Sequence, residues 1–77
     1  MEMEVIGYRK VSFKGEDGVQ ISGVSLYVTW IDEHVEGVAC EKIFVSEAKL
    51  EGHKVFVGES VRIHYNRYGK IGSLEWM

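Results

Sequence analysis

Seventy-seven residues suffice for one small domain and exclude a second, since compact units usually run to about 100–150 residues. The single cysteine, Cys40, rules out an intrachain disulfide, and no histidines and cysteines stand at metal-ligand spacing, so stability must come from packing, with oligomerisation as the natural supplement. The net charge of −3 argues mildly against nucleic acid as a partner, but the charge is divided by segment: residues 5–14 hold Arg9, Lys10 and Lys14, residues 60–74 hold Arg62, Arg67 and Lys70, neither holds an acid, and the acids concentrate between 15 and 48.

The opening Met1-Glu2-Met3-Glu4 is acidic and lacks the basic region and apolar stretch of a signal peptide. No apolar run has the length needed to cross a bilayer. The expectation is a cytoplasmic protein with no membrane partner.

Residues 4–14 read as a first strand, with Val5, Val11 and Phe13 as inward candidates. Gly15-Glu16-Asp17-Gly18 follows as a hairpin turn, because Asp-Gly supplies the positive φ such turns need. The second strand, 19–31, changes phase: Val19 and Ile21 put odd positions inward, whereas Val24, Leu26, Val28 and Trp30 put even positions inward. A β-bulge at Gly23 would account for the switch. Asp32-Glu33-His34 makes a polar turn, and 35–45 reads as a third strand. Ser46 to Gly52 suggests one or two helical turns with Ser46 as N-cap, Glu47 at the positive end and Gly52 as the stop. After Val55-Phe56-Val57, the residues Val61, Ile63 and Tyr65 alternate through a fourth strand, 66–70 turns, and 71–76 closes a fifth.

Five short antiparallel strands with a small helix between the third and fourth fit an all-β, five-stranded OB-like barrel occupying residues 1–77. An SH3-like barrel is the alternative, and the helix position favours the OB order. The expected core includes Val24, Leu26, Val28, Ile43, Val61 and Ile63.

No nucleophile elbow, phosphate-binding glycine loop or His-x-x-x-His motif occurs, so no catalytic residue, metal or cofactor is assigned. The histidines His34, His53 and His64 are scattered, and the acidic pairs lie in turns. Aromatics and cations, in contrast, recur together: Tyr8-Arg9-Lys10, Lys42 with Phe44, and His64-Tyr65-Asn66-Arg67-Tyr68-Gly69-Lys70. Single-stranded nucleic acid is held by this combination, because each base offers a π-face for stacking while cations follow the phosphates. Strand aromatics more often pack in a core. Tyr68, in a turn between Arg67 and Lys70, has no easy place in one.

The segment Tyr68-Gly69-Lys70-Ile71-Gly72-Ser73-Leu74 resembles the hairpin near the C-terminus of the filamentous-phage gene V type single-stranded-DNA-binding proteins. The resemblance implies an OB-like homodimer that coats single-stranded DNA without sequence selection. It would set Tyr68 and Lys70 of the hairpin, and Arg9, Lys10 and Tyr27 of the strand surfaces, against DNA.

Residues and resemblance together give a non-catalytic homodimer binding single-stranded DNA, or alternatively RNA, through Tyr8, Arg9, Lys10, Tyr27, Lys42, Phe44, Arg62, His64, Arg67, Tyr68 and Lys70. The competing reading is a small β-barrel protein-interaction module whose exposed aromatics dock a peptide or subunit, with Arg62, Arg67 and Lys70 as rim charges. Leu74, Trp76 and Tyr68, crowded into one terminal hairpin, would be buried against the second copy.

Overall fold

The computed structural model describes residues 2–77. Five strands, β1 (Glu2–Lys14), β2 (Gln20–Trp30), β3 (Ala39–Ser46), β4 (Ser60–Tyr65) and β5 (Ile71–Trp76), form one antiparallel sheet in the order β3-β2-β1-β4-β5, with a single-turn helix α1 (Glu47–Leu50) between β3 and β4. The two outer strands of this order, β3 and β5, are not hydrogen-bonded to each other, so the sheet is not closed.

The alternation expected of half-buried strands is present where it was strongest. Val24, Leu26 and Val28 of β2, Ile43 and Val45 of β3, and Val61 and Ile63 of β4 are buried in one cluster with Met3 and Val5 of β1. Leu50 of α1 and Val55 of the following loop complete it. The Asp-Gly turn forms as its chemistry dictates: Gly18 takes φ 82°, Asp17 Oδ1 accepts the Val19 N–H at 3.0 Å, and the Gly15 N–H donates to the Val19 carbonyl at 2.8 Å.

The bulge, however, is not at Gly23. Lys10↔Val24, Val11↔Gly23 and Ser12↔Ser22 run in unbroken register, and the shift falls on β1 between Val5 and Gly7, where Ile6 is the extra residue. One inserted residue exchanges the faces of everything after it. Before Ile6 the odd positions Met3 and Val5 point to the core; beyond it Tyr8, Lys10 and Ser12 pair with the core-side positions of β2. Val11 and Phe13 thereby fall on the opposite, outer face, which corrects their inward assignment, and Phe13 is 45% exposed. The phase change in β2 is therefore real but needs no bulge. Ile21 pairs with Phe13 on the outer face, and Phe44 approaches Phe13 edge-on at 5.8 Å. Gly23 serves another purpose: a Cβ there would collide with the Val45 carbonyl oxygen and come within 2.7 Å of the Phe44 ring.

Three further corrections concern boundaries and packing. β3 begins at Ala39 rather than at 35, because Asp32 accepts the His34 N–H with its side chain and the Val35 N–H with its carbonyl, holding the start of the 31–38 connection in a local turn. Ser46 occupies the N-cap position of α1, but its side chain makes no capping bond, and Glu51 enters the left-handed region at φ 52° one residue before Gly52. Leu74 and Trp76 are half-buried against the chain's own core, with the Trp76 ring stacked on His53 at 4.0 Å, so they do not call for a second copy.

That stack closes over a buried carboxylate. Glu59 is only 4% exposed, accepts the Phe56 N–H at 3.2 Å and lies at ion-pair distance from His53. His53 Nε2 is itself buried and reaches Glu59 without the alignment of a directed hydrogen bond. The backbone of the same turn is pinned to β1, with Val5 donating to the Glu59 carbonyl and Gly58 donating to the Val5 carbonyl, both at 2.8 Å.

Candidate nucleic-acid interface

Cross-strand partners in an antiparallel sheet point to the same side. The register places Gly7, Tyr27 and Lys42 in one row across β1, β2 and β3, and Arg9, Ser25 and Phe44 in the next. Arg9, Tyr27, Lys42 and Phe44 thus share the outer face, although they are scattered over thirty-six residues of sequence. The bulge at Ile6 makes this possible: without it Arg9 would face inward. Phe44 is half-exposed, its ring fixed over Gly23 and braced by Phe13.

The β4–β5 hairpin adds a second group. Asn66 organises the turn, its Oδ1 accepting the N–H groups of Tyr68 at 2.9 Å and Lys70 at 3.1 Å while its own N–H donates to the Lys70 carbonyl at 2.7 Å. Gly69 supplies the left-handed position, φ 75°. Tyr68 projects from this frame 72% exposed, and Arg67 lies 5.2 Å from its ring centroid, a cation–π distance. The hairpin and the sheet meet along a groove of about 420 Å³ lined by Glu41, Ile43, Phe44, Ser46, Lys49, Tyr65, Gly69, Lys70 and Ile71. Phe44 of the sheet and Lys70 of the hairpin are therefore walls of one depression.

Tyr8 and Lys10 do not belong to that surface. The bulge turns them to the inner side, where they line a separate open groove of about 710 Å³ with Ser12, Ser22, His53 and Lys54. Arg62 and His64 are also set apart. They flank Glu75 on the facing strand, at 3.5 and 3.3 Å, and Arg62 is the register partner of Glu2. Within the segment 60–74, Arg62 and His64 thus have an acid against them that lies just outside it, Glu75 on β5. Among the described residues Arg62 is the one lysine or arginine with an ion pair within 4.0 Å. Of the unpaired cations Arg9 and Lys42 lie on the outer face, Lys49 and Lys70 line the Phe44 groove and Arg67 lies in the hairpin, whereas Lys10 and Lys54 line the inner groove.

Lys49, Tyr65 and Glu41 are lining residues that the sequence did not single out. Tyr65 lay inside the His64–Lys70 cluster and alternated as a core residue would; it keeps the phase of Val61 and Ile63, the inserted residue being Gly72 on β5, but stands exposed at the end of β4. Lys49 and Glu41 carried no local signal, since only the approach of β5 and its hairpin to β3 and α1 makes them part of a site.

Among the described residues no group of three His, Cys, Asp or Glu side chains gathers as metal ligands would, and no helix is long and apolar enough to cross a membrane. Compared with known proteins, this chain matches no family model, no curated protein and no solved structure.

Proposed function

We propose that the protein is a non-catalytic, sequence-tolerant binder of single-stranded nucleic acid, DNA in the first instance, acting in the cytoplasm as a homodimer of OB-like units. The observation that carries this reading is the shared outer face: Arg9, Tyr27, Lys42 and Phe44 in two adjacent cross-strand rows, continued through one groove into the Arg67-Tyr68-Gly69-Lys70 hairpin. Exposed aromatics bordered by unpaired cations are what stacked bases and a phosphate backbone require. The order β3-β2-β1-β4-β5 supports the OB assignment, being that of a five-stranded Greek-key barrel parted between its third and fifth strands. OB-folds take oligonucleotides on the face of strands 2 and 3 with the loops joining strands 1–2 and 4–5, and the cations and aromatics here occupy that face and the second of those loops. The resemblance of residues 68–74 to the gene V type proteins points the same way.

Dimerisation draws support from exposed apolar residues elsewhere: Ile31, Val35 and Val38 between β2 and β3, and Phe56 and Val57 before β4. Titrating a labelled oligothymidylate at two salt concentrations, with fluorescence anisotropy as the readout, tests the central reading. Affinity should fall steeply as salt rises, because phosphate neutralisation releases counterions. A protein that binds no oligonucleotide at low salt would instead be the protein-interaction module, with the same aromatics docking a polypeptide.

A further inference from the structure

One member of the Phe44 groove is out of place in a site made only for phosphates. Glu41 lines it together with Lys49 and Lys70, yet a carboxylate repels the nucleic-acid backbone. It makes no ion pair within 4.0 Å among the described residues and is exposed, so its acceptor oxygens are free. The groove's volume of about 420 Å³ falls in the range of pockets that hold one small ligand, about 300–1,000 Å³. Its apolar walls are Ile43, Phe44, Tyr65 and Ile71. The β3 register turns Glu41 and Ile43 to the inner side and Phe44 to the outer, so the aromatic on the side of Glu41 is Tyr65, in phase with Val61 and Ile63. The two cations suit the phosphates on either side of a nucleotide.

We infer that this groove is a subsite for a single unpaired guanine, with Glu41 reading the base. The inference rests on the nucleic-acid reading above and deepens it. An ionised carboxylate offers acceptors only, so it selects a base edge made of adjacent donors. Guanine alone presents two on its Watson–Crick edge, N1–H and the N2 amino group. Thymine presents one N–H between two carbonyls whose lone pairs oppose the carboxylate, while adenine and cytosine each place a ring-nitrogen lone pair beside their amino group. Unstacked bases in single strands are read on this edge while stacked on aromatic side chains. Lys49 and Lys70 supply affinity without regard to sequence; Glu41 adds a base preference to it.

The test compares three oligomers of equal length at one salt concentration, by competition against a labelled oligothymidylate: oligothymidylate itself, alternating thymidine–deoxyguanosine, and alternating thymidine–deoxyinosine. Inosine keeps N1–H and lacks the amino group. The guanine oligomer should bind about fivefold or more tighter than oligothymidylate, the low end of what a bidentate base contact gives, and inosine should forfeit most of that margin. Glu41→Ala should bring the guanine and thymine affinities together. Equal binding of guanine and thymine oligomers to the unaltered protein would overturn the subsite while leaving the proposed function standing, and failure of all three to bind would remove both. A guanine preference that survives in Glu41→Ala would show that another group reads the base. The inosine comparison uses the unaltered chain, so the inference stays refutable even if the variant does not fold.

Discussion

Replacing Tyr68 and Lys70 together by alanine removes an aromatic and a cation from the hairpin tip without touching what holds the tip in shape. The turn is fixed by main-chain groups and by Asn66, whose Oδ1 accepts from the backbone N–H groups of residues 68 and 70, and alanine keeps both donors. Tyr68 is 72% exposed and, among the described residues, its only aromatic or cationic partner is Arg67, a surface cation–π contact worth about 0.5–1 kcal/mol. The fold should therefore lose little, and the melting temperature should fall by no more than about 8 °C. Binding should lose more. Stacking one base on an aromatic is worth about 1–3 kcal/mol, and deleting one phosphate-contacting cation should flatten the salt dependence by about one unit. Together these predict at least about a tenfold loss of affinity for oligothymidylate, read by anisotropy over a salt series, with circular dichroism confirming the fold. A double variant that is folded and binds as tightly as the parent would refute the placement of the site at the hairpin. One that is folded but newly monomeric would reassign Tyr68 to a subunit contact.

Gly23→Ala should destabilise the protein by about 1–3 kcal/mol, because the added methyl meets the Val45 carbonyl and the Phe44 ring; urea unfolding measures it, and a neutral result would mean that the Phe44 ring is free to move. Glu59→Ala removes the partner of the half-buried His53 and leaves the Phe56 N–H without its acceptor. Leaving a buried donor unsatisfied typically costs about 1–3 kcal/mol, a large share of what so small a domain has, so the urea midpoint should fall clearly below that of the parent, and an unchanged midpoint would show that the Glu59 contact contributes nothing to stability. Glu75→Gln frees Arg62 and His64 from their shared carboxylate. Affinity for oligothymidylate should rise modestly, by about twofold or a little more, as expected for an exposed pair worth 0–1 kcal/mol, and unchanged affinity would place β4 outside the reach of the phosphates.

Much of the fold was readable from local pattern. Alternation identified the buried positions of β2, β3 and β4, Asp17-Gly18 identified the first hairpin, and Asn66 to Lys70 the last, since side-chain period and turn chemistry are properties of a few consecutive residues. The same pattern could not say which residue of which strand breaks the period. Residues 19–28 carry a visible phase change, and placing a bulge at Gly23 is the economical local account. The inserted residue is instead Ile6, on the neighbouring strand, where nothing in the sequence marks it.

The candidate site divides along the same line. Residue types that stack and pair with phosphate were evident in sequence as Arg9, Lys42, Phe44, Tyr68 and Lys70, because an aromatic beside a cation is a local feature of the chain, while Tyr27 entered only through the resemblance to the gene V type proteins. Their assembly was decided by tertiary pairing. The Ile6 bulge sends Arg9 outward and Lys10 inward; Glu75 cancels Arg62 and His64 from across a strand pair; and the approach of the β4–β5 hairpin to β3 joins Phe44 and Lys70 in one groove while bringing in Glu41, Lys49 and Tyr65. Charge and stacking capacity belong to individual side chains and are written in the sequence. Which of them act together depends on strand register, where a single inserted residue exchanges the two faces of a sheet.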